Sequence, residues 1–275
     1  MRKRVGILFQ PKIQAAGDLA RDLAEVVADT GASVWVCSSW EEESAKDQVD
    51  GTELIICLGG DGTILRAARI ANQSSAPILG VNLGRIGFMT ELSAEEALEQ
   101  VPAFVKGEGW VEERTMLSVE PESADEPPFY ALNDVVVTRG ERCRLIRVKA
   151  SVDGEFLTTY KGDGVMVATA TGSTGYSLAA GGPILHPQAK ELLLLPIAAH
   201  LSLSTALVLP PDATVELEIN TTHEARLSLD GQIEMPLSDG SVVKVRRSPY
   251  VTHLIRGQRP AKFYQTLMQR LEKRE

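Results

Sequence analysis

The sequence predicts two domains of different class: an N-terminal, Rossmann-like parallel α/β domain and a C-terminal antiparallel β-sandwich-like domain. In the first hundred or so of the 275 residues, short apolar runs alternate with helical patterns, which is typical of βαβ units. From about Gly109 onward, strand-like runs follow one another without helices between them. A helical pattern closes the chain, and we expect it to return to the first domain. The predicted domains are therefore 1–110 with 258–275, and 111–257.

The first domain is read from apolar spacing and helix-cap signals. Leu19, Leu23 and Val27 recur every four residues with Gly31 just beyond, which predicts a helix over 14–29. Ser93 with a glutamate three residues later forms a capping-box pattern and predicts a helix over 93–105. The acidic segment 41–50 is expected to be a solvated connection. Strands are predicted over 5–9, 33–37, 54–58 and 76–82, and a helix from residue 64.

The second domain is read from short apolar runs separated by turn signals. Asp153-Gly154, Asp230-Gly231 and Asp239-Gly240 are dipeptides typical of hairpin turns. One short helix is predicted over 176–180. Strands are predicted over 113–120, 129–139, 145–152, 155–160, 164–170, 206–208, 214–219, 225–229 and 242–246.

Composition limits the possible partners and location. Hydrophobic residues make up 44% and charged residues 24% of the chain, as in ordinary soluble globular proteins. The net charge of −9 argues against a nucleic-acid or anionic-membrane surface. Cys37, Cys57 and Cys143 are odd in number and far apart, so we expect reduced thiols in a cytoplasmic protein. No apolar run approaches a membrane span, and the histidines show no metal-ligand spacing.

The first motif is Gly59-Gly60-Asp61-Gly62-Thr63, between a buried strand and a helix start. Glycine-rich turns at this position bring backbone N–H groups close to phosphates. The motif is not a Walker A loop, because no Lys-Ser or Lys-Thr pair follows. It is not a dinucleotide fingerprint either, because Leu65 replaces the third glycine. A carboxylate beside an anion indicates a proton acceptor or a metal-side ligand, and the alternative is a glycine turn that tolerates an aspartate.

The second motif covers residues 160–187, with small hydroxyl residues concentrated over 171–176. Such a run offers donors for sugar hydroxyls, amides or phosphate. A nucleophile elbow would need a glycine two residues before Ser173, which this sequence lacks, so hydrolase chemistry is disfavoured. Tyr176 follows the hydroxyl-rich loop and is either a core residue or an aromatic contact to a ring.

These motifs together resemble the signatures of bacterial NAD kinases. The resemblance rests on GGDGT at 59–63, Asn133-Asp134 and the long stretch ending in AAGGPILHP, with VGILFQPK near the start and LDGQ at 229–232. GGDGT alone is shared with phosphofructokinases and lipid kinases, and the second motif is far more specific. This chain departs from the family pattern at Asp134, Ala170, Gly175 and Thr205-Ala206.

The resemblance implies phosphoryl transfer to the 2′-hydroxyl of the adenosine ribose of NAD, with Mg-ATP or polyphosphate as donor. Asp61 would be the catalytic base, and no residue is assigned to a resident metal. The resemblance also implies a homodimer or homotetramer, with no nucleic-acid or membrane partner. The implied substrate contacts are Asp61, Gly62, Arg66, Asn133, Asp134, Arg144, Lys161, Asp163, Thr174, Gly175, Tyr176, Ser177, Leu178, Ala179, Ala198 and Gln232.

Two alternatives come from other functional classes. Another GGDGT-type kinase, acting on a lipid or a sugar, would explain the first motif but not the second. A non-catalytic dinucleotide-binding module would explain the second motif but leave Asp61 without a role. Because the proposed base and the proposed dinucleotide contacts lie in different halves of the sequence, we expect the active site to be a cleft between two domains.

Overall fold

The computed structural model describes residues 3–84, 87–120, 127–140, 144–200, 203–257 and 262–272. Cys143, expected to be a reduced thiol, lies outside these residues. The chain divides into two compact units, residues 1–113 with 252–275, and residues 114–251. It leaves the first unit within strand β6 (Trp110–Glu120) and returns within strand β17 (Val242–Arg256).

The first unit contains a parallel sheet, as the sequence predicts. Its strand order is β4-β3-β1-β2, and Leu254 of β17 pairs in parallel with Ile78 of β4. The two-residue strand β5 (Leu92–Ser93) also pairs with β4. Every residue of β3 and β4 is buried, as expected for central parallel strands. The remaining strands are β1 (Arg4–Phe9), β2 (Ser33–Ser38), β3 (Leu54–Leu58) and β4 (Ile78–Asn82).

The helices of the first unit agree with the sequence at three places and differ at two. Helix α1 (Gln14–Asp29) is confirmed, as are α4 (Ala94–Val105) with the capping box at Ser93 and a C-terminal helix, α6 (Lys262–Glu272). The segment expected to be a solvated connection is instead helix α2 (Glu42–Val49), because its Ala45 and Val49 are four residues apart and both are buried.

The helix after the glycine motif begins earlier than the sequence suggests. Helix α3 spans Asp61–Ala71, whereas the apolar periodicity indicated a start at residue 64. Gly60 is the N-cap in an extended conformation, with φ −88° and ψ −173°. The N–H of Thr63 then donates to the Gly60 carbonyl at 2.9 Å. Asp61 is therefore the first helical residue rather than part of a loop.

The second unit is built from antiparallel strands, as predicted. One sheet has the order β13-β12-β11-β8-β15-β16, and a second set of strands has the order β10-β9-β14-β17. Side chains from both form one buried core that includes Val137, Val165, Val148 and Leu217, which makes this unit a sandwich. The further strands are β7 (Phe129–Ala131), β8 (Asp134–Arg139), β9 (Ile146–Val152), β10 (Glu155–Gly162), β11 (Gly164–Ala168), β12 (Leu192–Ile197), β13 (Leu207–Leu209), β14 (Thr214–Asn220), β15 (Ala225–Leu229) and β16 (Ile233–Leu237).

The strand prediction for this unit differs from the structure at four places. The run 129–139 is two strands rather than one, because the chain turns at Leu132 and Asn133. Strands β12 and β16 are absent from the prediction, and each contains a proline, which is unusual within a strand. Strand β16 is at the edge of its sheet, where the missing N–H of Pro236 is tolerated. Strand β17 is 15 residues long, far beyond the predicted 242–246.

Candidate active site

The glycine motif places Asp61 at the carboxyl edge of the parallel sheet. Strand β3 ends at Leu58, Gly59 and Gly60 follow, and helix α3 begins at Asp61. Ligands of open parallel sheets bind at this edge. A carboxylate in the first helical turn also interacts favourably with the helix dipole. The helix dipole alone therefore accounts for an aspartate at this position, and no bound ligand is needed to explain it.

The Asp61 carboxylate is held from the other side by the backbone of the following loop. The N–H of Phe88 donates to Asp61 Oδ2 at 2.8 Å, and the N–H of Met89 donates to Oδ1 at 3.0 Å. A Cβ atom on Gly87 would lie 1.9 Å from Asp61 Oδ1, so only glycine allows this approach. Local sequence spacing does not reveal that Gly87 and its neighbours position Asp61, because the N–H donors are 27 and 28 residues away from it.

Arg66 lies on α3, five residues after Asp61, where the resemblance assigns a substrate contact. Its guanidinium Nη1 is 3.0 Å from Glu42 Oε1, and Arg69 Nη2 is 2.7 Å from the same oxygen. The Arg66 side chain retains 24% of its exposure. Glu42 belongs to α2, the helix that the sequence reading missed, so this ion pair was missed with it.

In the second unit, Asp230 fixes the turn that carries Asn133 and Asp134. Its carboxylate accepts from the N–H groups of Leu132 at 2.9 Å, Asn133 at 2.7 Å and Asp134 at 3.2 Å. The Asp230 N–H donates to the Asp134 carbonyl at 3.0 Å. These bonds divert the N–H groups of the turn from strand pairing, which is why the predicted strand 129–139 breaks here. In the sequence, Asp230-Gly231 indicates a hairpin turn and belongs to LDGQ at 229–232, and neither observation predicts these bonds.

Asp134 is buried beside that second carboxylate. Its side chain is 5% exposed. Burial, with the negative charge of Asp230 as the smaller cause, raises the pKa of Asp134 to about 7. A carboxyl group with this pKa is divided between its neutral and ionised forms near neutral pH. It can therefore act as a hydrogen-bond donor or acceptor to a polar ligand.

Asn133 lies beside the hydroxyl-rich loop of the second motif. The Thr169 N–H donates to the Asn133 carbonyl at 2.9 Å, and a Cβ on Gly172 would lie 2.1 Å from that carbonyl oxygen. A Cβ on Gly175 would lie 3.8 Å from Asn133 Nδ2. Within the described residues, the buried Asn133 Oδ1 has no hydrogen-bond partner. Buried polar atoms without partners are rare in proteins, so this carbonyl is a candidate ligand contact.

The segment from Thr174 to Ala179 contains both exposed and buried residues. A short 3₁₀ turn (Gly172–Thr174) and the short helix α5 (Tyr176–Ala179) follow each other directly. Tyr176 is 47% exposed, so it is available for a contact rather than part of the core. Ser177 is fully buried, and its Oγ lies 2.4 Å from the place of a Cβ on Gly182. Its hydroxyl therefore faces the chain that follows. Gly175 and Ala179 are exposed, and Thr174 and Leu178 are half-buried.

Asp163 and Ala198 lie together near the start of β11. Arg139 Nε donates to Asp163 Oδ1 at 2.6 Å, an ion pair that the sequence did not reveal. The Asp163 N–H donates to the Ile197 carbonyl at 3.0 Å, which places Ala198 next to it. Ala198 is exposed and has φ +48°, a conformation that is uncommon for residues other than glycine and that concentrates at functional sites.

Arg144 and Lys161 line one basic cavity of about 520 Å³ on the strands β9, β10 and β14. Arg147 and Lys149 also line it, in a chain whose net charge is −9. Arg144 Nη1 is 3.2 Å from His223 Nε2, and Lys149 Nζ is 2.8 Å from Glu218 Oε2. Gln232 lies apart from this cavity, two residues after Asp230, with its N–H bonded to the Leu229 carbonyl at 2.9 Å.

In the described parts of the chain, no group of three or more His, Cys, Asp or Glu residues is arranged to hold a metal ion. None of the helices described is long and apolar enough to cross a membrane.

Comparison with known proteins gives one consistent family. Residues 11–109 match the ATP-NAD kinase N-terminal domain, and residues 132–257 match the ATP-NAD kinase C-terminal domain. An NAD kinase of Dehalococcoides mccartyi (strain CBDB1) is 43% identical over 275 residues, covering 99% of this chain and 97% of that protein. An NAD kinase of Chloroflexus aurantiacus is 39% identical, with 99% and 100% covered.

Two solved structures share the fold. Yeast NADH kinase complexed with NADH has a TM-score of 0.84 at 25% identity, covering 98% of this chain and 88% of that one. An NAD kinase from Archaeoglobus fulgidus in complex with ATP has a TM-score of 0.79 at 26% identity, with 98% of both chains covered. On this evidence the chain belongs to the NAD kinase family.

Proposed function

We propose that this NAD kinase transfers the terminal phosphoryl group of ATP to the 2′-hydroxyl of the adenosine ribose of NAD, with Asp61 as the base. The observation that carries the proposal is the fixed carboxylate of Asp61 at the start of α3. Two backbone N–H bonds hold it, and its side chain remains partly exposed. A carboxylate has about four lone-pair positions, so it can accept a further hydrogen bond from a hydroxyl.

The reaction needs positioning more than new covalent chemistry. The ribose oxygen forms a bond to the terminal phosphorus of ATP as the bond between that phosphorus and the bridging oxygen breaks, and ADP leaves. The hydroxyl proton passes to the Asp61 carboxylate. A base held by two backbone N–H groups contributes chiefly by orienting the hydroxyl. Such orientation substantially lowers the barrier to phosphoryl transfer.

The glycine loop is the proposed place of the donor phosphates. Gly59 and Gly60 carry no side chains, and the positive end of the α3 helix dipole favours anions. Arg66, one turn further along α3, would add positive charge there. Its bond to Glu42 holds the guanidinium in place and is compatible with a second, phosphate contact, because a guanidinium has five N–H donors.

The proposed dinucleotide contacts are the residues of the second unit assigned from the resemblance. Asn133 and Asp134 would bind through hydrogen bonds. That role is supported by Asn133 Oδ1, which is buried without a hydrogen-bond partner among the described residues. Tyr176 would offer an exposed ring for stacking, and Arg144 would offer charge to a phosphate. The others are Lys161, Asp163, Thr174, Gly175, Ser177, Leu178, Ala179, Ala198 and Gln232, with Gly62 beside the base.

We propose that Mg²⁺ enters with ATP. A resident metal site does not fit the described residues, because they contain no cluster of three or more ligands. Mg²⁺ generally retains several waters and binds through the phosphates of its nucleotide. At constant ATP, activity should follow the concentration of Mg-ATP, and a rate that is independent of added magnesium after chelation would contradict this assignment.

We also propose a cytoplasmic homo-oligomer. Two cysteines, Cys37 and Cys57, are buried free thiols, which suits a reducing compartment. Strand β10 is an edge strand on which Phe156 is 62% exposed and Leu157 is 37% exposed. Exposed apolar residues on an edge strand favour self-association. Light scattering should therefore give a mass above 29.8 kDa that falls toward it in Phe156→Glu, and a monomeric wild type would refute the proposal.

The test of the function is NADP formation by Asp61→Asn, followed with an NADP-specific dehydrogenase. We expect turnover to fall by about 10²–10⁴-fold, the range of general acid–base assistance, with NAD binding largely retained. Asp22→Asn is the control, because Asp22 is an exposed aspartate of α1 in the same unit. Near-normal turnover in Asp61→Asn would refute the role of the base, and wild-type protein without NADP formation would refute the function itself.

A further inference from the structure

Three side chains outside the glycine motif form a cluster around an exposed tryptophan. The Lys12 ammonium is 4.7 Å from the centroid of the Trp40 ring, and the Arg66 guanidinium carbon is 5.7 Å from it. Both distances are within the range of cation–π attraction. Trp40 is 46% exposed, so neither burial nor core packing explains a residue of this size here. We refer to Lys12, Trp40 and Arg66 as the cationic cluster.

The cationic cluster lies beside the glycine motif. Lys12 and Trp40 are on the segments that leave the carboxyl ends of β1 and β2, and Arg66 is on the helix that follows β3. These three strands are neighbours in the sheet. The Gln10 N–H donates to the Leu58 carbonyl at 3.0 Å, and a Cβ on Gly59 would lie 3.3 Å from Gln10 Cβ. The segment that carries Lys12 therefore runs along the glycine loop.

The cationic cluster has few negative partners among the described residues. Glu42 Oε1 is the partner of Arg66, and Arg69 lies within salt-bridge distance of the same oxygen. Among the residues that the structure describes, Lys12 has no carboxylate within salt-bridge distance, and its ammonium has only the tryptophan ring as a partner. In a chain of net charge −9, an exposed and uncompensated cation at the carboxyl edge of the sheet favours an anionic ligand.

An aromatic partner differs from a carboxylate in one important respect. A carboxylate that held Lys12 would cancel its charge and occupy its N–H donors. An aromatic face restrains the cation through its quadrupole and leaves both the charge and the donors available to a phosphate. The pairing of Lys12 with Trp40 thus restrains an ammonium group while keeping it able to bind an anion.

We propose that Lys12 binds the phosphates of the nucleoside triphosphate donor and that Trp40 is a positioning residue for Lys12 and Arg66. The proposal rests on the proposed function, because it gives the cluster the same donor. It adds Lys12, which ends the VGILFQPK motif without an assigned role, and Trp40, which lies in none of the recognised motifs. Trp40 acts through the two cations and does not contact the reacting atoms.

Steady-state kinetics separate this role from a structural one. In Lys12→Gln we expect KM for ATP to rise about tenfold, as for the loss of one charge-assisted contact, while KM for NAD changes less than twofold. Lys12→Arg should restore most of the ATP affinity because it keeps a cation over the ring. Lys106→Gln is the control, because Lys106 is an exposed lysine of the same unit, at the end of α4.

Two substitutions of Trp40, one aliphatic and one aromatic, test its positioning role. Trp40→Leu should raise KM for ATP about threefold to fivefold, and Trp40→Phe should lie near the wild type, because only the aromatic face matters. Equal effects of Trp40→Leu and Trp40→Phe would overturn the positioning role. So would an effect of Trp40→Leu on NAD and ATP alike.

A direct binding measurement tests the role of Lys12 without relying on turnover. Inorganic tripolyphosphate, titrated calorimetrically into the wild-type protein, should bind about tenfold more tightly than to Lys12→Gln at low ionic strength. If wild-type protein forms no NADP but still shows this difference, the proposed function fails and the anion site stands. If NADP forms normally but Lys12→Gln binds tripolyphosphate and ATP like the wild type, the inference about Lys12 is wrong.

Discussion

The Asp61 loop and the Asn133–Asp134 turn position polar side chains in opposite ways. The Asp61 carboxylate is itself held by two backbone N–H groups, so its position is fixed before any ligand arrives. At the other turn, Asp230 holds the backbone. The Asn133 side-chain carbonyl has no hydrogen-bond partner among the described residues, and the pKa of Asp134 is raised. The Asp61 carboxylate thus already has hydrogen-bond partners. The backbone of the second turn is held by Asp230, but the Asn133 side-chain carbonyl has no partner among the described residues.

This difference is physically reasonable for two distinct tasks. A group that orients a reacting hydroxyl gains from being rigid, because small displacements are costly in rate. A group that binds a ligand through hydrogen bonds gains from unmet bonding capacity, because a buried polar atom without a partner favours any ligand that supplies one. The comparison predicts that changes in the first region affect turnover, and changes in the second affect NAD affinity or stability.

The largest effect is expected from Gly87→Ala. Its new Cβ would collide with the Asp61 carboxylate, so the carboxylate or the loop must move. A displacement of about 1 Å at the base lowers turnover by roughly 10²-fold. Gly84→Ala in the same loop region is the control, because a Cβ there meets nothing within 4 Å. Steady-state turnover at saturating substrates checks this, and equal rates in the two variants would show that the loop does not position Asp61.

The next effect is expected from Asp230→Asn. Asparagine keeps the left-handed turn but loses the charge that three N–H groups share. We expect the free energy of unfolding to fall by about 1.5–3 kcal/mol, the range for hydrogen bonds to a charged group. Asp153→Asn is the matched control, because Asp153 is in the same kind of Asp-Gly turn. Its carboxylate is exposed and, within the described residues, accepts a hydrogen bond from Thr214 alone. Chemical denaturation that gave equal losses in both variants would contradict the bracing role of Asp230.

Much of the fold could be predicted because its signals are local. Helix α1 and strands β3 and β15 have the predicted bounds, and the capping box at Ser93 is present. Helix α2 was missed because its apolar face is only two residues wide in an acidic segment. Strand β12 was missed although all six of its residues are buried, since an apolar run with a proline does not reveal its partners. These elements depend on packing against distant segments.

For the site, the residue types led to assignments that stay predictions, whereas the geometry could not be predicted. Glycines around a carboxylate indicated Asp61 as the base, and the family resemblance supplied the proposed dinucleotide contacts. The residues that hold these groups in place, Gly87 and Asp230, are 26 and about a hundred positions away in sequence from their partners. Nothing in local spacing connects them. Lys12 ends the VGILFQPK motif and Trp40 lies in no recognised motif, and their contact escaped notice for the same reason, because the parallel sheet brings their segments together.

A third effect concerns pH, through Asp134. The pKa of Asp134 in the folded protein is about 7, above its ordinary value of 3.8, so the folded state binds this proton more tightly than the unfolded state. Its stabilising contribution is present at low pH and is lost as the pH rises toward 7. This loss amounts to roughly 2 kcal/mol between about pH 5 and pH 7. The difference in unfolding free energy between wild type and Asp134→Asn across this window measures it, and a pH-independent difference would contradict the raised pKa.

The smallest effect is expected from Asn133→Ala. This variant best distinguishes a ligand-binding role of Asn133 from a structural one. Because Asn133 Oδ1 is buried without a partner in the described residues, its removal deletes an unmet polar group and should leave the free energy of unfolding unchanged or raise it by about 1 kcal/mol. The KM for NAD should nevertheless rise by about threefold to tenfold, as for one lost hydrogen bond to the ligand. Asn82→Ala is the matched contrast, since Asn82 is also buried but both side-chain atoms bond to Gly84, at 2.7 and 3.1 Å. That variant should lose stability, because it removes bonds that are already made. Denaturation curves and NAD titrations of both variants decide the matter: a stability loss in Asn133→Ala without a change in KM for NAD would make Asn133 a structural residue like Asn82.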